Sequence, residues 1–450
     1  MNCIVKPMIH PIEGRYGRSE VKALFEEERK LQYILDVEAA LARAHAKVGN
    51  IPKDAANAIS ERAATKYVKV ARVREIEAEI NHDVMAIVKA LTEKCGDAGK
   101  YIHLGATSND VTDTALALQI RDYIGFLEED LKSLRNALAK KARTHVKTVC
   151  VGRTHAQHAV PTTYGLKFAI YAMEVNRHLT RLQETKKRIL VGQMTGAVGT
   201  QAAFGKHAIK IQKIAMDELG LGCVEVSNQV IQRDRHAEFM LLLALIAETL
   251  NKISTEIRNL QRSEIDEVRE GFGKKQVGSS TMPHKMNPIY AERIGGISRV
   301  IKADAMAAME NIPLWHERDL TNSSCERIII PEACILTDYI LQLGINLIDN
   351  LVFNFDNIRR NLDLTQGRIM AESIMIRMAG KGMGRQEAHE VVRECALRSY
   401  REKRHFRDIL VEDRTVRKHL NEKEIDDALN PAKYVGTAET QVKAALRKLR

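Results

Sequence analysis

Three long stretches of this chain, 53–160, 162–282 and 332–430, contain no proline. Proline is expelled from helix interiors because it lacks an N–H and its ring clashes with the preceding turn. Its absence over such lengths leaves room for unusually long helices. Inside these stretches apolar residues recur at three- and four-residue spacing: Leu116, Ile120, Ile124, Leu127, Leu131, Leu134 and Leu138 in one run, Phe239, Leu243, Ile246, Leu250, Ile253, Ile257 and Leu260 in another. Such steps put every member on one helical face. Further helices are predicted around 162–190 and 331–352, with a shorter one around 289–311. Period-two alternation is nearly absent, so strands should be few. The expected fold class is all-α.

A chain of 450 residues exceeds one ordinary hydrophobic core. The helices above would form a central long-helix bundle over 111–352. An N-terminal helical domain, 1–110, precedes it, with Ser19 as N-cap of a helix running to Gly49 before Pro52. Beyond Phe353 the pattern shortens, and Gly380, Gly382 and Gly384 interrupt it, giving a C-terminal helical domain over 353–450. Wide apolar stripes on a long bundle need covering, so a symmetric homo-oligomer is expected.

The formal charge is +11, from 69 basic and 58 acidic residues. Three readings are open: solvated helix faces, a nucleic-acid surface, or a basic cleft for a small anionic substrate. Mixed-sign segments such as LEEDLKSLRNALAKKARTH, and an aromatic content of 5%, weigh against nucleic acid. No apolar run approaches the ~20 residues of a membrane span, and the first twenty residues lack a signal-peptide layout. The seven cysteines are scattered, with no CxxC pair. Together these give the expectation of a cytoplasmic protein with reduced thiols.

The segment richest in chemistry is GSSTMPHKMNP at 278–288, preceded by EGFGKKQV. Glycines and prolines make 270–288 a loop. It gathers three hydroxyls, an imidazole, an ammonium and an amide, more than a plain connector needs. A phosphate-binding loop is excluded, since Ser279 stands where that motif needs lysine. The eleven-residue segment closely resembles the signature loop of the fumarase/aspartase superfamily. RYGRSE (15–20), NHDVMA (81–86), HLGATSNDVTDTA (103–115), GRTHAQHAVPTTYGLK (152–167), SNQVIQRDRHAE (227–238) and PLWHERDLTNSSCERIIIPE (313–332) resemble its adenylosuccinate lyase branch. Fumarases and aspartases carry a small residue in place of His284, and argininosuccinate lyases typically glutamine. Carboxymuconate cycloisomerases share the His-Lys pair but are not expected to show the WHERD and QRDRHA segments.

That resemblance implies three helical domains, a homotetramer with composite active sites, no metal or organic cofactor, and β-elimination of fumarate from small anionic nucleotides. A non-catalytic structural relative on the same scaffold is the alternative outside catalysis. The resemblance also implies roles. Ser279 is the candidate base, with Ser280 as the adjacent alternative; locally Ser279 is also a plausible loop cap. His155 is the candidate acid, since imidazole exchanges protons near neutrality, and Glu292 is its orienting carboxylate. His155 and His158 could instead be metal ligands, but no third ligand stands at suitable spacing; His158 reads better as a satisfied structural histidine. Lys285 and Asn287 would hold substrate carboxylates. Thr107 and Ser108 look like a helix N-terminus able to bind an anion, or an ordinary cap with Asp110. Arg15, Tyr16, His82, Asp83, His103, Gln229, Arg318, Ser323 and Arg327 are implied to contact nucleotide or succinyl groups. Asn81 departs from the arginine that relatives often carry before His-Asp.

Overall fold

The computed structural model describes residues 9–273 and 278–449. The first eight residues, Cys3 among them, and the KKQV part of the expected loop lie outside the described residues. The fold is all-α. Helices relevant to the site are α1 (Ser19–Phe25), α2 (Glu27–Lys47), α3 (Asp83–Cys95), α4 (Ser108–Thr144), α5 (Tyr164–Ile189), α6 (Asp234–Leu260), α7 (Ile289–Glu310), α8 (Thr321–Asp349) and α9 (Phe355–Asp363). Both periodic stripes are helical and almost wholly buried: from Ile120 to Leu138 and from Phe239 to Leu260 each member is at most 4% exposed. Leu116 alone is half-buried. Burying one such side chain is worth about 1.5–3 kcal/mol, so these stripes, not helix propensity, hold the long helices.

The chain divides into two compact units, each built from three segments. One comprises Met1–Leu131, His178–Leu250 and Gly296–Gln342; the other comprises Lys132–Arg177, Asn251–Gly295 and Leu343–Arg450. The segments interleave because α4, α5, α6, α7 and α8 each have residues in both. In the first unit the core joins α2 (Leu31, Leu35, Leu41) to Ile59, Leu91, Leu118 and Ile211. In the second, short C-terminal helices pack around Ile374, Met378, Phe406, Ile409 and Ile425.

Strands are few and short, as the missing alternation implies. The longest pair is an antiparallel hairpin, β1 (Val149–Thr154) with β2 (Gln157–Thr163). Residues Val268–Arg269 (β3) pair with Val352–Phe353 (β4). The hairpin escaped the periodicity argument because a bulge between Val151 and Arg153 breaks its alternation.

Three expectations are corrected. Ser19 is the first helical residue, not the cap; Arg18 caps α1 without a side-chain bond, and Ser19 Oγ donates to Glu20. The helix expected to reach Gly49 is interrupted at Glu26, whose backbone is extended at ψ 147°. Helix α8 begins at Thr321, so Pro331 lies inside it rather than at its start. Buried Ile329, Ile330, Ala333 and Cys334 flank the proline, and their packing offsets its cost of about 3 kcal/mol. By length and composition α8 could cross a membrane, although Glu332 and Asp338 interrupt any continuous apolar run. Its buried Asp338, ion-paired with Arg18, marks it instead as a core helix.

Candidate active site

The candidate residues fall into two sets, one in each unit. In the second unit His155 occupies the hairpin tip. Register pairs Arg153 with His158 and Thr154 with Gln157, leaving His155 and Ala156 as a two-residue turn. Both have positive φ, 52° and 60°, the conformation that matches the twist of a tight hairpin but normally calls for Asn-Gly. The sequence supplies neither, so the imidazole stands on strained backbone, exposed at the turn. Gly152 makes the hairpin possible: a Cβ there would stand 2.5 Å from the Val160 carbonyl oxygen.

The His155 hairpin is anchored below the tip. Arg153 Nη2 donates to Glu267 Oε1 at 2.5 Å, Asn361 Nδ2 donates to the same oxygen at 2.9 Å, and Tyr164 Oη donates to Oε2. The Glu267 side chain is wholly buried. His158 is not the satisfied histidine expected, since its Nδ1 is buried without a hydrogen-bond partner. Burial, reinforced by the charge of Arg153, lowers its pKa and keeps it neutral.

The signature loop is closed at its base. Asn287 Nδ2 donates to the Gly278 carbonyl at 2.9 Å, and a Cβ on Gly278 would stand 2.0 Å from the Lys285 carbonyl oxygen. Ser279 Oγ accepts from the N–H groups of Met282 (3.1 Å) and Thr281 (3.3 Å). This is the local cap foreseen for it, and it also aims two donors at the oxygen that would carry charge as a base. Ser280, His284 and Lys285 are exposed. The loop runs into α7, whose first N–H groups, of Tyr290 and Ala291, donate to the Glu270 carboxylate at 3.2 and 2.7 Å. Burial pushes the Glu270 pKa up against the pull of those donors, and the charge of Glu292 adds to the rise. Glu292 sits exposed in the first turn of α7. Among the described residues no hydrogen bond or ion pair joins it to His155.

In the first unit Thr107 and Ser108 do stand at a helix start: α4 opens at Ser108, and Thr107 N–H donates to Asp110 at 2.9 Å. Buried Asp110 also accepts from Thr195 and Gly196 N–H. His82 caps α3 through Nδ1, and Asp83 is ion-paired with Arg327. Burial opposes ionisation of Asp83, but the Val84 N–H and Arg327 outweigh it and lower its pKa. Arg318 Nη1 donates to Gln229 Oε1 at 3.0 Å, and Gln229 Nε2 to the Ala197 carbonyl at 2.9 Å. Ser323 lies in the first turn of α8. Arg15 ends a short helix, and Tyr16 rests against Tyr339 with ring centroids 5.0 Å apart.

His103, also left-handed at φ 61°, donates through Nδ1 to Glu38 at 2.6 Å, and its backbone N–H donates to the other oxygen at 3.1 Å. Burial works against its charged form, but Glu38, with help from Asp110, outweighs burial and raises the pKa. Sequence reading missed Glu38, although a carboxylate on the apolar face of α2, between Leu35 and Leu41, was a visible signal. It missed Glu267 and the buried Arg233–Asp113–Glu326 cluster as well; nothing in their spacing distinguishes them from surface charges. Among the described residues no group of His, Cys, Asp and Glu forms a metal site.

Comparison with known proteins shows the family. A family model described as "Lyase" matches residues 14–302, and one described as "Adenylosuccinate lyase C-terminus" matches 367–445. Proteins named adenylosuccinate lyase from Methanocaldococcus jannaschii and Pyrococcus horikoshii are 56% and 55% identical. The first alignment covers 99% of this chain and 97% of the relative, the second 97% of each. The chain belongs to the adenylosuccinate lyase family. It is a lyase. A solved 3-carboxy-cis,cis-muconate lactonizing enzyme from Pseudomonas putida has the same fold, with a TM-score of 0.88 and 35% identity, covering 96% of this chain and 97% of that one. His155 and Ser279 are each displayed on their own element, and among the described residues neither is hydrogen-bonded or ion-paired with a carboxylate.

Proposed function

We propose that this chain releases fumarate by β-elimination from adenylosuccinate, giving AMP, and from the succinyl-carboxamide ribotide of purine biosynthesis (SAICAR), giving AICAR. The carrying observation is that relatives of that name share more than half of all residues across nearly the whole chain. Ser279 removes the Cβ proton, and the Met282 and Thr281 N–H groups stabilise its alkoxide. The aci-carboxylate that follows needs cations and N–H donors aimed at it, which Lys285 supplies from the loop. His155 protonates the leaving nitrogen. Arg318, with Gln229, and Arg327, with Asp83, lie ready to hold phosphate and succinyl oxygens. No metal or organic cofactor takes part.

A cytoplasmic homotetramer with composite sites is part of this proposal, as are three domains at 1–110, 111–352 and 353–450. Exposed Leu241, Leu245, Met306, Met309 and Ile312 support self-association. Among the described residues no carboxylate is paired with His155, which fits a site completed by another subunit.

The likeness to a muconate-lactonizing enzyme supplies a rival activity. Incubation with adenylosuccinate and with carboxymuconate, without added metal, separates the two: fumarate release from the first supports the proposal, and turnover of the second alone overturns it. Inertness toward both would leave a structural homologue. Equal mixing of inactive His155→Ala and Ser279→Ala proteins, dissociated and reassembled, tests composite sites. Random tetramers make about a quarter of sites whole, and a dead mixture with confirmed subunit exchange overturns the idea.

A further inference from the structure

We propose that Glu267 is a positioning residue that sets where His155 stands, acting through Arg153 and Tyr164 at the root of the hairpin. The inference rests on His155 being the acid of the proposed reaction.

Among the described residues of this chain no side-chain hydrogen bond or ion pair supports the hairpin tip. His155 and Ala156 are exposed and both left-handed, a conformation that persists only where the surroundings over-determine it. The restraint must therefore come from below the turn. Two residues before His155, Arg153 reaches inward to Glu267, and immediately after β2 Tyr164 reaches the other carboxylate oxygen. One buried carboxylate thus ties both strands of the hairpin. Glu267 is itself fixed from three sides. Its N–H donates to the Leu260 carbonyl, its carbonyl accepts from Asn354, and Asn361 of α9 donates to its side chain. Its position just before β3 gives it a rigid base. Arg153 Nη1 and His158 Nδ1, a cross-strand pair, are both buried without partners. Removing the Glu267 charge would leave the guanidinium unpaired beside a neutral imidazole, and the hairpin root would reorganise. A displacement of about 1 Å at a reacting group costs on the order of a hundredfold in rate.

The test uses full-length Glu267→Gln, which keeps the side chain's shape and one acceptor. The expected result is a fall in kcat of about a hundredfold with KM changed less than threefold, and faster amide hydrogen exchange across 149–163. Melting temperature should fall, because the buried guanidinium loses its charged partner, while the protein stays folded and assembled at the assay temperature. Tyr164→Phe, which leaves the Arg153 pair intact, should show the same pattern at about a tenth of the size, and serves if Glu267→Gln folds poorly.

Subunit mixing then shows on which group Glu267 acts. Mixed with Ser279→Ala, Glu267→Gln should regain about a quarter of normal activity, because sites drawing His155 from the Ser279→Ala chain have an intact hairpin. Mixed with His155→Ala it should regain nothing beyond its own residual rate. Normal kcat, unchanged exchange at the hairpin, or rescue by His155→Ala but not by Ser279→Ala would each overturn the proposal. The His155→Ala and Ser279→Ala mixture is the control. If it stays dead, the composite site has failed, and Glu267 is judged on kcat, KM and exchange alone.

Discussion

His155 stands on backbone held in an unfavourable conformation by a buried carboxylate beneath it, whereas Ser279 stands on a loop closed by its own bonds and touched from outside by Gln261 at the Met286 carbonyl. The hairpin root is tied to Glu267, Asn361 and Tyr164. The loop closes on itself through Gly278, Lys285 and Asn287, and from Ser280 to Met286 its side chains are exposed. The contrast suits the two tasks. An acid that must meet a departing nitrogen gains from fixed geometry. In the proposed reaction Lys285 must meet a dianionic carboxylate arriving from solvent, which its exposed position allows.

The largest expected effects come from the proposed acid and base. His155→Ala and Ser279→Ala should each lower kcat by about 10³-fold or more, since general acid–base groups contribute 10²–10⁴. Neither side chain lies on a buried stripe, so circular dichroism and assembly should be unchanged. Unfolding of either variant would break the comparison by giving that residue a structural role. Lys285→Met should come next, at about 10²–10³ in kcat, because a cation beside a developing dianion stabilises the transition state more than the ground state. A rise in KM with kcat preserved would make Lys285 a uniform-binding group.

Two glycines sharpen the comparison. Gly152→Ala forces a Cβ to 2.5 Å from the Val160 carbonyl oxygen inside the anchored hairpin. It should lower both stability, by about 1–3 kcal/mol, and kcat. Gly278→Ala forces a Cβ to 2.0 Å from the Lys285 carbonyl oxygen, but in a loop with little packing to lose. It should lower kcat by roughly tenfold or more while the urea midpoint stays near that of the wild type. Equal loss of stability in the two variants would show that the loop is as firmly built in as the hairpin.

How much of this was legible in sequence depends on range. Stripes such as Ile120–Leu138 were legible because helical burial has a local period, and the loop was legible because its polar residues are contiguous. The hairpin was hidden by its bulge, and its turn by the absence of Asn-Gly. Glu267 lies 114 residues from Arg153, and Glu38 lies 65 from His103. Partners set by tertiary packing leave no spacing to read. Pro331 misled in the opposite direction, because a local rule was overridden by burial around it.

The smallest effect concerns the other left-handed histidine. His103 shares positive φ with His155 but is largely buried and paired with Glu38, where His155 is exposed and, among the described residues, has no carboxylate partner. If the pairing matters, stability should report it through pH. Glu38 and Asp110 outweigh burial, so the folded pKa of His103 lies above its unfolded value of about 6.5. Folding therefore takes up a proton in the interval between the two values. The stabilisation is complete below about pH 6.5 and is lost as pH rises through the folded pKa. His103→Gln keeps a donor for Glu38 but cannot titrate. The melting-temperature advantage of wild type over this variant should be greatest near pH 6 and shrink steadily toward pH 9. Using the difference cancels groups that titrate alike in both proteins. A flat difference would remove the distinction between a histidine held by charge and one held by its backbone.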